Sequence, residues 1–224
     1  QETLSNCIWL KALLPLQAPL STMRIITSSI YPRSTNKDYD LSLDKTIDYG
    51  KSTENGIDID ISKYIKPLSA VLRLGRAGAL TDHTSIFYNI DLKSHKITHG
   101  STNSHWYQIG LWKNLSSLWS SKLGLDSRNH FNIHPDPPNP QVVGKLVPDM
   151  DKAIKIVTES HYKMMKDVPL VGWDVAFTTE GIFLLEVNLS CNFFQGDFDM
   201  SYYIKFMNDY FIDLQLYQDN KKNE

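Results

Sequence analysis

Cysteine is scarce in this chain of 224 residues: Cys7 and Cys191 are its whole complement. Two thiols cannot build a disulfide framework, and without a second pair or clustered histidines they do not build a zinc site either. A reducing compartment, the cytoplasm, is therefore the expected location. Basic blocks are also missing. A net charge of −2 with no lysine- or arginine-rich run argues against a nucleic-acid surface and against a polybasic membrane contact. The longest apolar runs fall far short of a bilayer span, so no membrane partner is expected. Gln1-Glu-Thr-Leu-Ser-Asn-Cys7 has neither the basic nor the apolar region of a signal peptide. A chain that opens on glutamine is expected to be a fragment or a processed form. What the sequence does have is 42% hydrophobic residues, enough for a substantial core, and its expected partners are small molecules.

Apolar residues at helical spacing predict a short helix over Leu4 to Leu14, ended by Pro15 and Pro19. Met23 to Ser28 reads as a strand with one cation in it, Arg24. Residues 32–65 are polar and charge-mixed and read as an exposed insertion or loop. Pro67 to Gly75 is a second strand with a single cation, Arg73, within an apolar run. Ile86 to Leu92 and Lys96 to Thr98 suggest a hairpin around Ser94 and His95, Leu111 to Leu123 a helix, and His130 to Pro140 an extended proline loop. Asp151 to Lys166 is amphipathic, with Asp149 or Asp151 as cap and Ala153, Ile156, Val157, His161, Met164 and Met165 on its apolar side. A last helix runs from about Ser201 to Tyr217, with a polar tail expected to fray. Strands joined by hairpins rather than by regular crossovers indicate an α+β fold with a largely antiparallel sheet covered by helices.

The densest chemistry lies in Val171-Gly-Trp-Asp-Val-Ala-Phe-Thr-Thr-Glu-Gly-Ile-Phe-Leu-Leu-Glu-Val-Asn188. Leu170 to Phe177 and Ile182 to Val187 read as the two strands of a hairpin turning at Thr178 to Gly181. Asp174 then lies opposite the far end of the second strand, and Glu186 and Asn188 share a face because strands have period two. Two carboxylates and an amide oxygen suit a hard cation such as Mg²⁺, which leaves other positions to water and phosphate. Both acids emerge from core-forming sequence, where an unpaired charge is costly. An alternative is a structural or carbohydrate-binding domain whose acids are merely solvated, which Asp174 and Glu186 on opposite sides of the sheet would favour.

The Asp174, Glu186, Asn188 hairpin resembles the metal hairpin of the ATP-grasp superfamily. Leu20-Ser-Thr-Met-Arg-Ile-Ile-Thr27, Val71-Leu-Arg-Leu-Gly-Arg76, the His134-Pro element, Gly144-Lys-Leu-Val-Pro148 and the hairpin follow the order of its sugar-transfer associated group, related to the α-L-glutamate ligases. The resemblance covers nearly the whole chain. It implies a single ATP-grasp domain over 1–224 of the C-terminal-lobe type, with ATP and Mg²⁺ as cofactors and a sugar-linked or peptide substrate. In such enzymes a carboxylate is activated as an acyl phosphate and an amine displaces the phosphate. It further implies Asp174, Glu186 and Asn188 as metal ligands, Arg73 as the catalytic contact to the phosphoryl group, and Arg24 as a second phosphate contact. Leu185 would lie against the adenine and Gln1 and Glu2 in the hinge that binds it. Arg24 also reads as a strand-edge arginine in a surface ion pair, Leu185 as a core leucine, and Arg76, His134 and Lys145 as weaker, mostly solvated candidates.

Two departures from the pattern are evident. The lysine-bearing strands that precede the hinge in the family have no counterpart before Gln1, so the chain is expected to lack one wall of the pocket. Thr81-Asp-His-Thr-Ser-Ile-Phe-Tyr88 has His83 where related sequences carry an asparagine and glycines that let backbone approach an anion. A catalytically incomplete nucleotide-binding module is therefore the alternative reading.

Overall fold

Asn6 sets where the chain enters the fold. Its side chain accepts from Ser21 N at 2.9 Å and donates to Pro19 O at 3.1 Å, and its backbone bridges to Thr178. That pairing confines the first helix, α1, to Ile8–Lys11, well inside the span that apolar spacing suggested. The computed structural model describes residues 4–31, 51–54, 57–80, 84–102, 130–193 and 196–222. Gln1 and Glu2, the expected helix over 111–123 and the His83 loop lie outside them.

The strands are β1 (Thr22–Ser29), β2 (Lys51–Glu54), β3 (Ile57–Asp60), β4 (Ile65–Leu74), β5 (Ile86–Ile90), β6 (Ile97–Ser101), β7 (Leu170–Thr178) and β8 (Gly181–Asn188). Six of them form one antiparallel sheet in the order β6-β5-β4-β1-β7-β8. Helix α2 (Met150–Met165) lies between β6 and β7 in sequence, and α3 (Met200–Lys222) follows β8. The class is thus α+β, as the hairpin-rich pattern indicated. Pro67 sits inside β4, where the register with β1 shifts between Ile26 and Thr27. An irregularity is where a strand tolerates a residue that cannot donate to the ladder.

One face of the sheet builds the core. Met23, Ile25, Ala70, Leu72, Leu74, Ile86, Tyr88, Val171, Trp173, Val175 and Phe177 pack there with Ala153, Ile154 and Val157 of α2. The buried side of α2 is Met150, Ala153, Ile154, Val157, Thr158, His161 and Tyr162, so Ile156 and Met164 are not part of it. Asp149 precedes α2 in left-handed conformation (φ 56°) and its carboxylate does not cap the helix; it pairs with Lys152 at 2.6 Å instead. Parts of the polar stretch over 32–65 are ordered: β2 and β3 pair, and Ile61 and Ile65 bury against Tyr162. α3 continues to Lys222, into the tail expected to fray. Among the described residues no helix is long and apolar enough to cross a membrane.

Candidate functional site

Every strand that sends an apolar residue into the core sends its neighbours to the opposite face. Across the sheet, Val71 of β4, Arg24 of β1, Asp174 of β7 and Glu186 of β8 fall in one row. Arg73 stands two residues from Val71 along β4 and so shares that face. Asn188 lies opposite Gly172, one step along from the same row. The five polar residues singled out in three separate sequence segments therefore meet on one surface, with Asp174 and Glu186 on the same side.

A bulge makes this possible. Strict alternation along β8 would put Glu186 and Asn188 on the side of Leu184, which packs against the core. The register with β7 shifts between Asp174 and Val175, so that Val175 opposes Leu184 while Asp174 opposes Glu186. Leu185 is the extra residue, 44% exposed. Inserting one residue reverses the face of everything that follows, which keeps Leu184 in the core and turns Glu186 and Asn188 to the polar face. Leu185 is thus not a core leucine.

Asp174 is held from both sides. Arg24 Nε donates to its Oδ1 and Arg73 Nη2 donates to its Oδ2 at 2.8 Å. Asp174, Arg24 and Arg73 are 6%, 5% and 7% exposed, so the three charges depend on one another for solvation. β1 lies between β4 and β7, so Arg24 is not an edge arginine in a surface pair but part of a buried one. A Cβ at Gly172 would come within 3.2 Å of Arg24 Cδ and 3.3 Å of its Nη1; glycine there lets the arginine lie close over β7. With its amide oriented to satisfy both neighbours, Asn188 accepts from Arg24 Nη2 at 3.2 Å and donates to Glu186 Oε1 at 3.0 Å. Glu186 itself is exposed.

The chain leaving β8 crosses this face. Asp197 N donates to Asn89 Oδ1 at 2.6 Å, and Asn89 Nδ2 donates to Asp197 Oδ2 at 2.8 Å. Gly196 lies so near β4 that a Cβ would meet Val71 Cγ2 at 2.7 Å. Lys66 sits 3.8 Å above the Tyr202 ring; burial lowers its pKa, against the pull of Asp199. Cys191 packs beside Gly172, and burial pushes its thiol up to about 11 although Arg24 draws it down. It is therefore a protonated thiol at neutral pH, not a nucleophile. Asn89 and Asp197 were missed from sequence. For Asn89 the signal existed, since it interrupts the apolar run of β5 as Arg24 and Arg73 interrupt theirs.

His134 and Arg76 belong elsewhere. His134 is fully buried; its Nδ1 accepts from Asp136 N at 3.1 Å, which leaves Nε2 to donate to Gly75 O at 3.1 Å. Burial lowers its pKa, so it stays neutral. Arg76 grips Asp136 with two bonds of 2.6 Å, and Ala77 N adds a third at 2.9 Å. Burial raises the Asp136 pKa, but these contacts outweigh it and the net shift is downward. The pair pins the proline loop rather than facing the polar surface. Lys145 is exposed.

Among the described residues no group of three or more His, Cys, Asp or Glu side chains could hold a metal ion. Asp174, Glu186 and Asn188 reach three donors only by counting the amide. All three offer hard oxygens on one face, so the set fits Mg²⁺ in chemistry, provided Asp174 gives up its arginines. Comparison with family models, with curated proteins and with solved structures finds no match to this chain.

Proposed function

We propose that this chain is an ATP- and Mg²⁺-binding ATP-grasp domain acting as a carboxylate–amine ligase on a sugar-linked or peptide substrate. The observation that carries the reading is the convergence of Arg24, Arg73, Asp174, Glu186 and Asn188 on one face. Two buried guanidinium groups beside two carboxylates make a surface suited to a polyphosphate and its counter-cation. Asp174, Glu186 and Asn188 would hold Mg²⁺. When bound, Mg²⁺ neutralises charge on the β- and γ-phosphate oxygens.

The chain's own groups do the positioning. Arg73, rooted in a central strand, holds oxygens of the transferring phosphoryl group with a rigid two-pronged donor, and Arg24 holds a neighbouring phosphate. The exposed Leu185 side chain supplies an apolar surface for the adenine ring. A donor carboxylate oxygen then attacks the γ-phosphorus, ADP departs, and an amine displaces phosphate from the acyl phosphate to leave an amide. Isothermal titration with ATP and Mg²⁺ tests the reading: Mg²⁺ is expected to tighten ATP binding in the wild type, and Glu186→Ala to lose that Mg²⁺ dependence. Mg²⁺ dependence unchanged in that variant overturns it.

A second reading, a nucleotide-binding module without turnover, is favoured by the engagement of both Asp174 oxygens by arginine. Binding of ATP with no ADP released across candidate amine acceptors would select it over the ligase.

A further inference from the structure

We propose that this face binds in a fixed order, accepting a divalent cation only with or after a polyphosphate anion, because Arg24 and Arg73 cover Asp174 until phosphate oxygens draw them away. The inference rests on the nucleotide reading above and adds to it a rule for how the site is filled.

Each cation donor is already engaged. Arg24 Nε takes one oxygen of Asp174 and Arg73 Nη2 the other. Arg24 Nη2 takes the Asn188 amide oxygen, and the Asn188 nitrogen takes Glu186 Oε1. Two guanidinium groups stand beside the carboxylates of Asp174 and Glu186. A cation arriving alone must displace arginines from Asp174 while they remain within contact distance. Like charges at such separation beside Arg24, Arg73 and Asp174, each under a tenth exposed, repel strongly. A polyphosphate arriving alone meets the opposite situation, since its oxygens accept the same guanidinium bonds and bring charge of the right sign. As it binds, Asp174 loses its partners while facing Glu186 directly across the β7–β8 pair. Two carboxylates and several phosphate oxygens then surround a space that needs a cation. The buried triad of Arg24, Arg73 and Asp174 is in effect a lock that the anion opens for the metal.

The test uses the full chain, Mn²⁺ as the metal and inorganic tripolyphosphate as the anion. Water-proton relaxation separates protein-bound Mn²⁺ from the free and anion-bound ion, and calorimetry in EDTA reads the anion alone. The wild type is expected to bind tripolyphosphate in EDTA and to show Mn²⁺ binding only once the anion is present. Arg73→Gln is expected to bind Mn²⁺ without anion about tenfold or more tightly than the wild type, while losing tripolyphosphate. A residue that merely contacts phosphate would lower anion affinity and leave metal affinity alone. Wild-type Mn²⁺ binding without anion, as tight as in Arg73→Gln, overturns the order. So does tripolyphosphate binding that requires metal. If neither probe binds in any combination, the nucleotide reading itself fails and takes the lock with it. Should Arg73→Gln not fold by circular dichroism, the two wild-type titrations decide alone.

Discussion

On the face covered by α2, the central strands contribute Met23, Ile25, Leu72, Trp173 and Val175; on the other face, the same strands contribute Arg24, Arg73 and Asp174, one residue out of phase. Both faces bury polar groups, and they handle them differently. The core face holds His161, whose Nδ1 lies 2.7 Å from Thr27 Oγ1 and whose Nε2 lies 2.9 Å from Val168 O, while Trp173 Nε1 donates to the same hydroxyl at 2.9 Å. Thr27 must give its single proton to Nδ1, so Nε2 carries the ring hydrogen and every group in the chain of bonds is satisfied without a charge. The opposite face keeps three ionised side chains in contact. A neutral network can be sealed under a helix at little cost, whereas buried charges are tolerated only in each other's company. That difference separates a face held by neutral contacts from one held by paired charges.

Removing a charge should show the contrast most sharply. Asp174→Ala removes the carboxylate that both buried arginines, Arg24 and Arg73, contact, and a loss of about 3 to 5 kcal/mol is expected in urea unfolding. A loss below about 1 kcal/mol would mean the arginines reach water unaided. Acid tests the core face next. Burial holds the His161 pKa near 4, against 6.5 for an ordinary histidine, so the unfolded chain binds the extra proton first. The stability this confers is complete above pH 6.5 and is lost as pH falls toward 4, by about 3 kcal/mol in all. His161→Gln should flatten that part of the stability–pH profile; a slope unchanged by the substitution would assign it to other groups. A smaller effect is expected of Ile25→Val, about 1 kcal/mol of stability with Mn²⁺–tripolyphosphate affinity unaltered. Smallest in stability is Glu186→Gln on the exposed end of the polar row, within about 0.5 kcal/mol of the wild type, yet with Mn²⁺ binding in the presence of tripolyphosphate lost. A pair in which Ile25→Val impairs binding, or Glu186→Gln impairs folding, would dissolve the division between the faces.

Much of this was legible in the chain. A polar residue inside an apolar strand announces itself, as Arg24, Arg73 and Asp174 do, and the β7–β8 hairpin and α2 follow from local periodicity. Other features were not. Asn6 looks like part of a helix until Thr178, Pro19 and Ser21 are brought beside it. His134 looks like a loop residue because the buried carbonyl of Gly75 that it meets is far away in sequence. Asp197, in a loop of mixed composition, gave no sign that it would strap itself to Asn89.

The sequence by itself determined which side chains alternate on which strands, because side-chain direction along a strand depends only on counting residues. It could not determine which strands lie side by side, and so could not show that Arg24 and Asp174, 150 residues apart, would meet through the insertion of β1 between β4 and β7. Nor could counting reveal the bulge at Leu185, since the alternation is broken there by the partner strand's register rather than by anything local. Tertiary structure decided both, and with them the fact that three charges found separately in the sequence are solvated by one another.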